Sequence, residues 1–286
     1  MNLLNKIIKF MKSIFCNCSS NNTNAPDTLT SLPDEDIIDI LEEKDMSLEE
    51  ATQPVEDTVC SNMPICHDIS NYSLLTVCID NGHGEETPGK RSPYALDNKN
   101  LPALYFREYL FAREIAKLVK EKLEHLGVSV FMCTPETTDV ALSIRAKRAN
   151  DYKTSHPDQH CVFVSIHSNA YGDGSKWCSP NGWTCWTTKG TTNSDELAAC
   201  LYDAAVETFP KYGRKVNKRG ASRQEWSWEA NFTVIYKANM PAVLTENFFQ
   251  DNVEDVEFML SDEGKQAIAD VHVNGILKYA KKMWGI

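Results

Sequence analysis

The sequence predicts an α/β domain, a mixed, mostly parallel sheet flanked by helices, behind an N-terminal amphipathic helix and a disordered linker. Three observations carry this. From Ser73 onward, short apolar runs alternate with amphipathic stretches of helical period, the pattern of a layered α/β domain. Charge is unevenly spread: residues 1–19 hold three lysines and no acid, and residues 20–72 hold thirteen acids against the single base Lys44. The remaining residues are close to neutral, so a charged tail is attached to a domain. No stretch reaches the ~18 uncharged apolar residues of a membrane span. Lys+Arg 29 against Asp+Glu 40, a net charge of −11, argues against a nucleic-acid binder.

The parts divide as 1–19, 20–72 and 73–286. At ~100° per residue, the apolar residues of 2–16, from Leu3 and Leu4 to Ile14 and Phe15, gather in one arc, with Lys6, Lys9 and Lys12 opposite. A basic amphipathic helix of this kind lies on a membrane surface. A secretory signal would place its lysines first and a clean apolar core after them. A helix that docks on a partner is the plainer alternative. Residues 20–72, rich in acids, Asn, Ser and Pro, read as a flexible linker.

Within the domain, SLLTVCID is a buried strand that ends in Asn-Gly-His-Gly. Tyr105–Leu126 is a long helix with Leu110, Ile115, Leu118, Val119, Leu123 and Leu126 on one side and Gly127 as its stop. Val128–Cys133 and Cys161–His167 are strands on either side of an Ala141–Asp151 helix, which Asn150 helps to end. Gly182–Thr187 is a further strand, and Ser194–Phe209 is a helix behind a Thr-Asn-Ser cap. Asn231–Lys237 and Ala242–Phe248 read as strands, and two helices close the chain, the last from Lys265 to Met283. Cys78, Cys133 and Cys161 read as small buried apolar residues. Cys178 and Cys185 flank a Ser-Pro-Asn-Gly turn where they could pair.

Sites in such sheets form beyond the carboxyl ends of the strands. Three strands end in a chemically competent residue: His83, His167 and Glu246. Each alone has a structural reading, as a satisfied histidine or a solvated acid. Three on one rim point to a metal, and catalytic zinc commonly takes two histidines and one carboxylate. Glu108, one turn into the long helix, is the best-placed carboxylate. Glu114 lies further down, where Arg113 or Lys117 can pair with it, and Glu85 and Glu86 remain as loop alternatives. Gly82 and Gly84 let the backbone turn sharply around His83.

The motifs IDNGHG (79–84), FREYLFAREIA (106–116), LSIRAKRAN (142–150), FVSIHSNA (163–170) and MPAVLTENFF (240–249) make this chain resemble the zinc-dependent N-acetylmuramoyl-L-alanine amidases of the amidase-3 type. The resemblance covers residues 73–286, in order and spacing. It implies one Zn2+ held by His83, Glu108 and His167, with Glu246 as the catalytic glutamate and peptidoglycan as the substrate. Two departures stand out. Glu85-Glu86-Thr87-Pro88-Gly89 follows His83, where the family often has Gly. Thr188-Lys189-Gly190 runs almost directly into the Ser194 helix, without the inhibitory helix that some bacterial members insert.

The implied reaction is hydrolysis of the amide between N-acetylmuramic acid and L-alanine by a zinc-activated water, with Glu246 as general base. A compact catalytic domain of this kind looks like a phage endolysin or an autolysin that acts on the cell wall. Two alternatives are a zinc carboxypeptidase-like peptidase, for which Arg223 would hold a terminal carboxylate, and a wall-binding protein without catalysis. Trp177, Trp183, Trp186, Trp226 and Trp228 fall in segments that should border the site, as core packing or as faces for a sugar or peptide. Arg145 and Asn150 read as structural.

Overall fold

The structure is a computed structural model that describes residues 69–94 and 105–286. The expected N-terminal helix and nearly all of the linker lie outside the described residues. A six-stranded sheet forms the centre. Its strands are β1 (Leu75–Asp80), β2 (Ser129–Met132), β3 (His160–Asn169), β4 (Thr184–Thr187), β5 (Trp228–Glu229) and β6 (Ala242–Phe249), in the spatial order β2-β1-β3-β6-β4-β5. The pairings are parallel except β4 against β6, which is the mixed, mostly parallel sheet expected.

Strand alternation divides the core in two. Leu75, Val77, Ile79, Val162, Val164, Ile166 and Val243 face one side. Against them pack α1 (Glu108–His125), α3 (Asn193–Thr208), α5 (Val253–Leu260) and α6 (Asp262–Trp284), through residues such as Ile115, Leu201, Met259 and Ile276. Cys78, Cys161, Phe163 and Leu244 face the other side. Among the described residues only α2 (Leu142–Ser155) and the single turn α4 (Thr233–Tyr236) cover them, through Ala149, Val234 and Ile235. The second face is the thinner one, and its carboxyl rim is where the polar side chains gather.

Most elements fall where the pattern put them. Gly127 ends α1's last turn at φ +82°. The Thr192 hydroxyl accepts from Ser194 N at the start of α3, while the Asp195 carboxylate accepts from Thr192 N.

The differences have physical causes. The stretch 231–237 is a helical turn, not a strand. The Phe232 carbonyl accepts from both Ile235 N and Tyr236 N. Val234 and Ile235, neighbours in sequence, are both buried in the same core cluster while Tyr236 is exposed, whereas a strand would send two neighbours to opposite faces. The edge beside β4 is taken by β5, through Trp186 paired with Trp228. α2 runs one turn past its expected end, because Asn150 does not stop it. Asn150 instead bridges to α4's exit, donating to Lys237 O and accepting from Asn239 N, both at 2.8 Å. Leu110 is exposed, and Phe111 and Ala112 take its place in the buried stripe. Cys178 and Cys185 are free thiols. Cys185 faces the first core, whereas Cys178 sits on a loop beside Asp251.

Candidate metal centre

β1 and β3 lie side by side in parallel register, so the loop after β1 brings His83 to His167 near the carboxyl end of β3. The rings sit edge to face with centroids 5.1 Å apart. Gly82 makes this approach possible. Its φ is +71°, and a Cβ there would lie 2.9 Å from His167 Cε1. A Cβ on Gly84 would overlap the backbone of Thr138 and Asp139. Arg113 locks the turn by donating to His83 O and to Glu136 O, both at 2.6 Å.

Glu108 opens α1 and is fully buried. Its backbone N–H donates to Lys90 O at 3.0 Å, which ties the helix start to the loop after β1. Glu108 Oε1 accepts from Ser168 N at 3.2 Å, lies 3.0 Å from His167 Nδ1 and lies 3.8 Å from His83 Nε2. Glu108 Oε2 is buried with no hydrogen-bond partner, and Lys90 Nζ stands 3.8 Å away. Among the described residues, His83, Glu108 and His167 form the one group of ligand atoms close enough to hold a metal, all within 4.8 Å of one another.

The donor set fits zinc. At a metal–ligand distance of ~2.1 Å, a tetrahedral edge is about 3.4 Å, and the separations of 3.0 and 3.8 Å bracket it. The orphaned Oε2 is a second reason to place a cation here.

Glu246 stands in register with His167 across β3 and β6, on the same face of the sheet. Its Oε2 is buried without a partner. Burial pushes its carboxyl up to about 7, with the Glu108 charge adding to the effect and His167 and Lys90 opposing it. Burial lowers His83 to about 4, with His167 and Lys90 helping and Glu108 resisting. At Glu108 burial works upward, yet the hydrogen bond and charge of His167, with His83 and Lys90, hold the carboxyl below its usual range. His167 is the mirror case: burial works downward, and Glu108 holds it above its ordinary value. One rim therefore carries a neutral imidazole, a charged carboxylate and a carboxyl poised near neutrality.

Comparisons of the chain with known proteins, by family, by sequence and by structure, agree. Residues 77–278 match the family model Amidase_3, described as N-acetylmuramoyl-L-alanine amidase. The chain belongs to this family. Among relatives, it is 29% identical over 213 residues to the endolysin of Bacillus phage SPP1, covering 73% of this chain and 68% of the endolysin. It is 25% identical over 235 residues to the N-acetylmuramoyl-L-alanine amidase AmiC of Neisseria meningitidis, covering 71% of this chain and 52% of AmiC. The match thus spans about half of AmiC and about two thirds of the endolysin. An N-acetylmuramoyl-L-alanine amidase from Clostridium difficile 630 has a similar structure, with a TM-score of 0.58 at 25% identity over 74% of this chain and 99% of that one. The catalytic domain of CwlV from Bacillus (Paenibacillus) polymyxa gives 0.56 at 25% identity, covering 72% and 98%.

The remaining sequence expectations for this Amidase_3 domain sort cleanly. Glu85 and Glu86 are exposed on the loop, and Glu86 accepts from Asp139 N. Glu114 pairs with Lys265 of α6 rather than with Arg113 or Lys117. Arg145 is buried between Asp80 and Asp139, a structural role as expected. Arg223 is spent on Asp203 and Glu196 of α3, so the residue a carboxypeptidase would need is committed elsewhere. Trp183 is core, while the half-buried Trp186 and Trp228 pack against each other and the exposed Phe232 meets Trp186 edge to face. Sequence reasoning missed Lys90 and Arg113 as neighbours of the site. Lys90 carries no motif signal, and Arg113 lies inside FREYLFAREIA, where a helix-surface arginine is unremarkable.

Proposed function

We propose that residues 73–286 are a zinc-dependent amidase that hydrolyses the amide between N-acetylmuramic acid and L-alanine in peptidoglycan. In this reading His83, Glu108 and His167 hold one zinc ion and Glu246 is the general base. The observation that supports it most is the convergence of these three ligand atoms beside a carboxyl with an unpartnered, buried oxygen. Zinc bound there would polarise the scissile carbonyl and bring the pKa of a water down to ~7.

The side chains supply the rest. His83 is neutral at pH 7, so its lone pair is free to bind. Glu108 stays ionised and offsets the charge of a cation. Glu246 takes the proton from the attacking water as the new C–O bond forms. It delivers that proton to the nitrogen as the C–N bond breaks. A carboxyl held near 7 does both at neutral pH. The products are a lactyl carboxylate on the glycan and a peptide with a free L-alanine amino group. Dansylation of digested peptidoglycan tests this: labelled N-terminal alanine should appear with the full chain and vanish when a chelator is added. Digestion that frees no alanine amino group would overturn it.

We further infer that the protein works at the cell wall, with residues 1–19 as a surface helix and 20–72 as the tether to the domain. The basic amphipathic arc of residues 2–16 supports contact with a membrane surface. Among the described residues, no helix is long and apolar enough to cross a membrane.

A further inference from the structure

His167 has two ring nitrogens, and the metal reading uses one of them. Nδ1 faces Glu108 Oε1 at 3.0 Å, inside the triad. Nε2 points the other way, to Ser165 Oγ at 3.0 Å. Ser165 Oγ in turn donates to Asp80 Oδ2 at 2.7 Å. Asp80 Oδ1 accepts from Gly82 N at 3.3 Å and faces Arg145 Nη1 at 3.4 Å. Arg145 is itself pinned by Asp139 and by Val140 O, both at 2.6 Å. Asp80, Ser165 and Arg145 are all buried.

Sheet register creates this line. β1 and β3 pair in parallel with Asp80 opposite Ser165, which places their side chains on one face. Ser165 lies two residues before His167, so it shares that face too.

Proton bookkeeping then fixes the ring. A carboxylate held against a guanidinium only accepts, and Ser165 has one proton, which goes to Asp80. Ser165 Oγ is left as an acceptor toward His167, so Nε2 must carry the hydrogen. With a proton kept on Nε2, Nδ1 is the nitrogen that gives up its hydrogen when a metal binds, and its lone pair then aims into the triad. We propose that Asp80 and Ser165 are positioning residues that hold His167 in the tautomer and orientation needed to bind the metal. Asp80 also shapes the approach to His83, through its bond to Gly82 N. One buried carboxylate thereby orders both histidines. This rests on the metal reading above. It adds that the affinity of the site depends on a hydroxyl which never touches the ion.

The test is the zinc dissociation constant of the full chain at pH 7, read by competition with a chromophoric chelator. Ser165→Ala should weaken binding by roughly 10- to 100-fold, the range found when a ligand's outer hydrogen bond is removed. Thermal unfolding of the metal-free variant checks that it folds. The isosteric pair Ser165→Thr and Ser165→Val separates hydroxyl from packing, since the two differ by the hydroxyl alone. Thr should bind zinc close to wild type, and Val should be as weak as Ala. If wild type binds zinc and a folded Ser165→Ala binds equally well, or Thr and Val bind alike, the positioning role is overturned while the metal reading stands. If wild type itself binds no zinc, the metal reading falls, and this inference with it.

Discussion

Glu108 and Glu246 are both glutamates on one rim, and their surroundings push their carboxyls in opposite directions. Glu108 is held charged by His167, His83 and Lys90, whereas burial holds the Glu246 carboxyl near 7. Glu108→Ala should lower zinc content and activity together, because removing one ligand of three weakens the whole set. Glu246→Gln should keep about one zinc per chain while turnover falls by ~10²-fold or more. Metal analysis beside a wall-clearing assay reads both. Loss of zinc in Glu246→Gln with retention in Glu108→Ala would reverse the roles.

The raised Glu246 value also has a signed consequence for the metal-free protein. Its folded value lies above the unfolded one, so the folded state binds the extra proton. Stability from this group is intact below about pH 4.5 and is lost as pH rises toward and past 7. Metal-free Glu246→Gln should therefore gain roughly 2–3 kcal/mol over wild type at pH 8 and match it near pH 4, by urea unfolding. The four candidate residues stood out in the sequence because each sits in a compact motif: Glu108 opens α1, His167 and Glu246 lie in the carboxyl halves of β3 and β6, and His83 follows β1. Ser165 and Asp80 sit inside the same motifs, but their partnership depends on the β1–β3 register, which sequence spacing does not state. Lys90 was invisible for another reason: it reaches Glu108 from a loop through a backbone bond.

At the level of elements, the turn after β1 is the most constrained piece of the site. Gly82 is both left-handed and in contact range of the His167 ring. Gly82→Ala strains the backbone and pushes that ring, so it should destabilise the domain by ~1–3 kcal/mol and weaken zinc binding with it. Denaturant unfolding and a zinc titration measure the two effects. Unchanged zinc affinity would mean that the turn does not set the ring geometry. The regular elements were legible because their local signals are strong: β1 and the first half of β3 are mainly apolar, buried runs, and α3 carries a complete capping box. Asn231–Lys237 was not legible. Its β-branched residues suit a strand, but Val234 and Ile235 both had to be buried beneath the sheet. Tertiary packing overrode local preference there. The end of α2 was missed for a similar reason, since Asn150 bonds across to 237–239 instead of capping its own helix.

At the scale of the whole molecule, four helices among the described residues pack on one face of the sheet and two lighter ones on the other. The candidate site residues all lie after residue 73, so the acidic stretch 20–72 and the basic residues 1–19 supply none of them. The 73–286 segment should keep activity on solubilised wall, and the full chain should co-sediment with anionic vesicles more strongly than that segment does. Equal binding of the two, or none by either, would remove the membrane role.

Digestion of purified peptidoglycan in ¹⁸O-labelled water, read by mass spectrometry, tests the central claim most directly. Hydrolysis at this rim should place one ¹⁸O in the lactyl carboxylate of muramic acid and release stem peptides that begin with an unlabelled L-alanine. Label found in the new carboxyl terminus of a shortened peptide, with the lactyl amide intact, would contradict it.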